Sequence, residues 1–197
     1  MTRALDRLVR ASVAIGMRVQ PRKAFRQADQ TLYASAVSRE MVEAMRSAGQ
    51  RLMATGVAVN GMTVIGWRRS ESRIGLTIPG ADLLQLGPSQ LTSVASSTVV
   101  GTTGHDRVVS VVASGAAAAV WAHPPVLLAL AASSRIPMGG PSELRERVGR
   151  IGFDGGGLDI TVVADEGVLA IGDDPVGAVA RLEAAERLAV IEREASR

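Results

Sequence analysis

The chain contains no cysteine among its 197 residues. This absence excludes disulfide bonds, thiolate metal sites and a cysteine nucleophile. It also agrees with a reducing compartment, and we therefore expect a cytoplasmic protein. Aromatic residues make up only 3% of the chain although 47% of it is hydrophobic. The core must consequently be built from aliphatic side chains.

One uncharged stretch of the chain could be taken for a membrane span, but its pattern favours another structure. Residues 108–134 carry no formal charge apart from a proton that His123 can take up. Two prolines follow His123 directly and interrupt the run in its middle, which favours a strand, a turn and a buried helix over a membrane span. We therefore expect no transmembrane segment.

Basic charge is also too small to indicate a nucleic-acid partner. The net charge is +3, Lys23 is the sole lysine, and the arginines are not interleaved with aromatic residues. A P-loop, a dinucleotide-binding fingerprint and a nucleophile elbow are all absent. We expect a small-molecule substrate and no nucleic acid.

The first 37 residues differ from the rest of the chain in charge. Residues 1–30 contain seven basic and two acidic residues, a net charge of +5. Leu5, Leu8 and Val9 recur at helical spacing. We therefore expect residues 1–37 to form a basic helical extension, packed on its own domain or on a neighbouring subunit, and residues 38–197 to form one domain.

Two helices of this domain have clear start signals. Ser38 is the predicted N-cap of a helix that reaches about Ala54. Asp173 or Asp174 is the predicted N-cap of the last helix, with Pro175 at its first position.

Hairpins join several of the predicted strands. Residues 158–164 and 168–171 are two buried strands connected by a tight turn, whereas residues 108–112 fit a strand or a helix equally. Short connections between strands are typical of antiparallel pairing. The sequence therefore predicts an α/β fold with a mainly antiparallel or mixed sheet and helices packed on it.

A histidine follows an apolar run that reads as a buried strand. Residues 116–122 form this run, His123 comes next, and Pro125 is the predicted start of a helix that reaches about Ser133. The end of a buried strand is where an α/β enzyme places a ligand or an acid/base group. His123 is thus the first candidate catalytic residue.

Three segments resemble the class II aldolase/adducin family. Residues 119–125, Ala-Val-Trp-Ala-His-Pro-Pro, resemble its Val-Val-His-Thr-His-Pro-Pro segment. Residues 163–172 resemble its Asn-His-Gly strand, and residues 77–83 resemble its Thr-Pro-Ser-Gly loop. The resemblance covers residues 38–197, and it implies the family's three-layer fold and a homo-oligomer, a tetramer by this resemblance.

The resemblance also implies a chemistry. Members of this family hold a divalent metal, usually zinc, with three histidines, and the metal polarises a carbonyl when a carbon–carbon bond breaks. In this chain the first of the three positions is Trp121, the second is His123 and the third is Glu166. An indole cannot ligate a metal, which argues against the standard zinc site.

The family's phosphate loops are altered as well. Pro79 stands at the position of the loop serine, whereas Gly80 is kept, and Asn60 corresponds to the family's Gly-Asn loop. We expect Asn60 and Gly80 to contact the substrate together with Trp121 and Asp165.

Three interpretations of the site remain open. In the first, His105, His123 and Glu166 form a rearranged set for Zn(II), Mn(II) or Fe(II). In the second, the cleft works without a metal, with His123 or His105 as acid/base beside Asp106, Asp165 or Glu166 and with Trp121 as an apolar wall. In the third, the protein is catalytically silent and acts as an oligomeric scaffold or binding partner.

The resemblance implies a lyase-type or related enzyme that acts on a small carbonyl or hydroxy compound. The third interpretation is the alternative to any catalytic function, because a fold does not fix a function.

Overall fold

The computed structural model describes residues 38–96, 101–153 and 157–196. In these residues the chain forms five α-helices: α1 (Arg39–Thr55), α2 (Gly104–Ala113), α3 (Pro125–Ala131), α4 (Ser142–Val148) and α5 (Pro175–Ala195). It forms seven strands: β1 (Val64–Ser70), β2 (Arg73–Thr77), β3 (Leu91–Ala95), β4 (Ala118–Ala122), β5 (Ile151–Phe153), β6 (Ile160–Val163) and β7 (Gly167–Gly172). The expected extension over residues 1–37 lies outside the described residues.

The seven strands form one mixed sheet in the order β3-β2-β1-β4-β7-β6-β5. Every neighbouring pair is antiparallel except β5 and β6, which run parallel. The predicted mainly antiparallel or mixed sheet is therefore confirmed. Strand β5 was not predicted, because it has three residues and pairs with a strand that follows it across a glycine-rich segment.

Helices cover both faces of the sheet, and β4 shows how its residues divide between them. Ala119 and Trp121 lie in the apolar cluster beneath α2, whereas Val120 and Ala122 lie in the larger cluster beneath α1, α3 and α5. This alternation is the period of two that a strand imposes on its side chains. The three-layer α/β/α architecture is thus confirmed, and Trp121 faces the α2 side.

The capped helix starts are placed as predicted. The Ser38 hydroxyl accepts the main-chain N–H of Met41 at 3.2 Å, and the Asp174 carboxylate accepts that of Gly177 at 2.6 Å. Each side chain pairs an N–H group that the first turn of a helix leaves without a partner.

Residues 108–112, for which the sequence fitted strand or helix, belong to helix α2. Thr103 caps this helix: its hydroxyl accepts the main-chain N–H of Asp106, whose carboxylate accepts the main-chain N–H of Thr103 in return. This capping box overrides the strand preference of the valines. Val108 and Val112 then point into the core from one face of the helix.

None of the helices in the three described ranges is both long and apolar enough to cross a membrane.

Candidate functional site

A cleft of about 210 Å³ opens where the C-terminal end of β4 meets the N-terminal end of α2. Because β1 runs antiparallel to β4, the residues that precede β1 reach the same edge of the sheet. The cleft is lined by residues 61–64, Pro79, residues 103–105, Trp121 and His123. The strand end that the sequence singled out therefore forms part of a cavity.

His123 is half-buried in this cleft and carries an unsatisfied nitrogen. Its Nδ1 is buried and has no hydrogen-bond partner among the described residues. Burial lowers the pKa of His123 below its ordinary value of 6.5, although the neighbouring main chain of Glu166 partly opposes this shift. The imidazole is accordingly neutral at pH 7, the form in which it accepts a proton.

The indole of Trp121 forms one wall of the cleft and is nearly buried, with 5% of its surface exposed. It meets His123 edge to face, with the ring centroids 6.1 Å apart and the planes at 89°. Such T-shaped contacts are favourable for aromatic pairs. The ring of Trp121 therefore fixes one side of the His123 imidazole.

Two glycines make the room for this indole. A Cβ atom on Gly104 would lie 2.4 Å from Cδ1 of Trp121, and one on Gly167 would lie 2.5 Å from its Cζ2. Both distances are far below van der Waals contact, so any larger residue at either position would displace the ring. We call this space, between Gly104 and Gly167, the indole slot.

Arg107 lies over the indole from helix α2. Its Cζ atom is 5.4 Å from the centroid of the Trp121 ring, and its Nη2 donates to Oε2 of Glu166 at 2.8 Å. The first distance is within the range of a cation–π interaction. Nε of Arg107 is buried and without a partner among the described residues. Through the bond from Nη2, Glu166 forms an ion pair with Arg107, and about half of the Glu166 side chain stays exposed.

His105 lines the cleft but is anchored to the sheet. Its Nε2 lies 2.7 Å from the main-chain oxygen of Thr77, at the end of β2. Because a carbonyl oxygen only accepts, Nε2 is the donor, and the lone pair of the neutral ring is on Nδ1. His105 thus holds the start of α2 against β2.

The carboxylate of Asp106 belongs to the helix cap. It accepts the hydroxyl of Thr103 at 2.7 Å and the Thr103 main-chain N–H at 3.1 Å. The hydroxyl, followed by the main-chain groups of Thr103 and Gly101, lowers the pKa of Asp106. Asp106 is absent from the cleft lining, and its observed interactions position α2.

The remaining predicted contacts lie in loops around the cleft. Asn60 is held by Asp82, to which its amide donates at 3.2 Å, and by the main-chain N–H of Leu83, which it accepts at 3.0 Å. Gly80 has a φ of 77° and follows Pro79 at the cleft. Asp165 has a φ of 62° and is exposed in the β6–β7 turn. None of these three residues lines the cleft itself.

The side chains present do not fit the metal that the resemblance implies. The described residues contain no group of three His, Cys, Asp or Glu side chains arranged to hold a metal ion. Two of the candidates have a physical reason: Trp121 offers no donor atom, and Glu166 is paired with Arg107. The expected set of His105, His123 and Glu166 is thus not gathered here.

Sequence reasoning missed Arg107 and the two glycines of the indole slot. The Thr103–Asp106 spacing is a capping-box signal, and it would have assigned residues 104–113 to a helix. That assignment would place Arg107 on the first turns of α2, beside the strand ends. The slot itself has no local signal, because Gly104 and Gly167 meet Trp121 only in the folded chain.

No protein-family model matches the chain, and no curated protein matches it in sequence. Solved structures do match. The L-fuculose-1-phosphate aldolase of Thermus thermophilus is 19% identical with a TM-score of 0.64, over 78% of this chain and 94% of that one. YgbL of Klebsiella pneumoniae, described as a putative aldolase/epimerase/decarboxylase, is 18% identical with a TM-score of 0.60, over 80% and 90%.

The N-terminal class II aldolase domain of a conserved protein from Thermoplasma acidophilum is 13% identical with a TM-score of 0.55, over 77% of this chain and 93% of that one. These likenesses establish the architecture: the chain has the fold of the class II aldolases. The resemblance that the sequence suggested is thereby confirmed for the fold.

Proposed function

We propose that this protein is a divergent, lyase-type enzyme of class II aldolase fold that acts on a small carbonyl or hydroxy compound without a bound metal. The observation that carries the proposal is His123, which lines the cleft beside Trp121 and whose buried Nδ1 has no hydrogen-bond partner among the described residues. Buried polar atoms in folded proteins are nearly always hydrogen-bonded, and a catalytic role is one physical explanation for an exception.

The proposed reaction starts with removal of a proton by His123. The neutral imidazole takes the proton of a substrate hydroxyl group, the adjacent carbon–carbon bond breaks, and its electron pair moves towards the carbonyl oxygen of the leaving fragment. The imidazolium then returns the proton to that fragment. His105 and Asp106 serve as positioning residues, since their bonds to Thr77 and Thr103 fix the start of α2.

The cleft supports a small substrate that carries no phosphate. Its volume of about 210 Å³ is below the ~300–1,000 Å³ of typical ligand pockets. Pro79 provides no hydroxyl where the resemblance places a phosphate-loop serine, and the amide of Asn60 is already bound to Asp82. Trp121 supplies an apolar wall to the lining.

Ligand titration of metal-free protein tests this proposal. Trp67 is the only other tryptophan, so a Trp67→Phe background makes Trp121 the sole indole reporter. Short hydroxyaldehydes, hydroxyketones and hydroxy acids without phosphate should change the fluorescence after EDTA treatment, and their phosphorylated counterparts should change it less. His123→Gln should abolish turnover of the bound compound. His105→Gln is the matched imidazole control and should weaken turnover less. Binding restricted to phosphorylated compounds, or turnover that survives His123→Gln, would contradict the proposal.

The silent scaffold is a second candidate, favoured by the engagement of the nearby carboxylates. Asp106 is committed to a helix cap and Glu166 to Arg107, so neither is free to assist His123. Under this alternative no tested compound would change the fluorescence of Trp121. The two candidates are therefore separated by the same titration.

We also propose that the protein is a cytoplasmic homo-oligomer, a tetramer by the family resemblance, in which residues 1–37 help to join subunits. Deletion of residues 1–37 should then lower the mass measured by light scattering. An unchanged mass combined with lost binding to anionic vesicles or to nucleic acid would contradict the assignment of this segment.

A further inference from the structure

We propose that the guanidinium of Arg107 is the resident cation beside this cleft, outside its lining, and takes the place of a divalent metal ion. It is held by Trp121 and Glu166, the two positions at which the resemblance places metal-binding histidines. This assignment shares with the proposed function only the premise that the cleft beside Trp121 is the functional site.

The first support is the contact between Arg107 and the indole. The guanidinium carbon lies 5.4 Å from the ring centroid, and the indole slot prevents the ring from moving away. Tryptophan offers the strongest face for a cation among the aromatic side chains. Trp121, which provides no metal ligand, therefore provides a binding surface for the guanidinium of Arg107.

The second support is the carboxylate. Oε2 of Glu166 accepts from Nη2 of Arg107 at 2.8 Å, across 59 positions of sequence. A guanidinium keeps its charge at every physiological pH, so it can neutralise Glu166 permanently. Glu166 has no other hydrogen-bond partner for its carboxylate among the described residues, which makes Arg107 its counter-ion.

The third support is what the cation leaves for a metal. Trp121 has no donor atom and Oε2 of Glu166 is bound, so His123 is the only one of the three positions that offers an imidazole nitrogen. A divalent ion bound there would also meet the charge of Arg107, which contacts the neighbouring Trp121, and like charges repel. Trp121 and Glu166 thus both bind the guanidinium of Arg107. The same three residues do not suit a metal site.

Metal titration of back-substituted proteins tests the assignment. The variant W121H/E166H/R107A restores three imidazoles and removes the cation, and calorimetry should show that it binds one equivalent of Zn²⁺. The variant W121H/E166H keeps Arg107 and should bind Zn²⁺ more weakly by roughly tenfold or more, because the guanidinium repels the ion. The unsubstituted protein should bind no stoichiometric Zn²⁺ or Mn²⁺.

Equal Zn²⁺ affinity of the double and triple variants would overturn the assignment. So would one equivalent of Zn²⁺ bound to the unsubstituted protein and lost in His123→Gln. Neither result depends on substrate binding by metal-free protein, so this inference and the proposed function can fail separately.

A second measurement covers the case in which the imidazole variants do not fold. In the Trp67→Phe background, Arg107→Met should shift the emission of Trp121 and leave Glu166 without its counter-ion. Arg69→Met, at an exposed position on β1, is the matched control and should leave the emission unchanged. Identical spectra for the two variants would overturn the assignment.

Discussion

Glu186 accepts the main-chain N–H of Leu127 at 2.8 Å, although 59 positions separate the two residues. Its second oxygen accepts the N–H of Val126, also at 2.8 Å. Helix α3 begins after Pro124, which has no side chain that can cap it. Glu186 of α5 is therefore the cap of α3, and it fixes the turn that follows His123.

Replacing Glu186 with alanine should destabilise the protein by roughly 2–4 kcal/mol, because it leaves two N–H groups without partners in a buried place. Glu186→Gln keeps one acceptor oxygen and should lose less. Denaturant unfolding measures both effects, with Glu194→Ala, an exposed position on the same helix, as the control. A loss for Glu186→Ala no larger than that of the control would refute the capping role.

Closing the indole slot should displace Trp121. Gly104→Ala and Gly167→Ala each place a Cβ inside the ring contact, and overpacking of this kind costs ~1–3 kcal/mol. In the Trp67→Phe background both should also shift the fluorescence emission. Gly139→Ala meets nothing within 4 Å and should change neither property. A Gly104→Ala protein with normal stability and emission would show that the ring is not confined.

The pH dependence of stability should report on His123. Burial places its pKa in the folded protein below the value of 6.5 in the unfolded chain, so the unfolded chain binds the proton more readily. The contribution of His123 is therefore complete above pH 6.5 and is lost as pH falls through the interval between the two values. Unfolding free energies measured from pH 8 to about pH 5 should show this decline, and His123→Gln should remove it. A decline of equal size in His123→Gln would assign it to another group.

The helix cap at Thr103 should weaken in acid. The pKa of Asp106 lies below its ordinary value of 3.8, so its contribution is present above pH 3.8 and is lost as pH falls through the lower folded value. Thr103→Ala removes the hydroxyl and should cost about 1 kcal/mol at pH 7, as for other N-caps. It should also raise the pKa of Asp106, which carboxylate NMR can follow. An unchanged pKa would contradict the assigned cause.

Local signals explain what the sequence could predict of the fold. Ser38 and Asp174 could be predicted as helix starts because a capping side chain and the N–H that it binds lie within three residues of each other. Residues 108–112 were ambiguous because valine favours strands, and the decision came from the cap at Thr103. Strand β5 could not be predicted, because its pairing with β6 depends on the tertiary structure rather than on a local signal.

The site was predictable only in part, for the same reason. His123 and Trp121 stand in one recognisable segment, and the structure places both in the cleft. Arg107 and Glu166 come from a helix and a hairpin that meet only when the sheet is assembled. The hydrogen bond of His105 depends on a tertiary neighbour, Thr77, and that of Asp106 depends on the helix cap at Thr103. Neither bond can be inferred from the residue type alone.

The indole slot also constrains how this sequence can change over time. Trp121→His would leave a void between Gly104 and Gly167, whereas enlarging either glycine first would collide with the indole. The three positions are therefore coupled, because the cost in stability of a change at one depends on the residues at the other two.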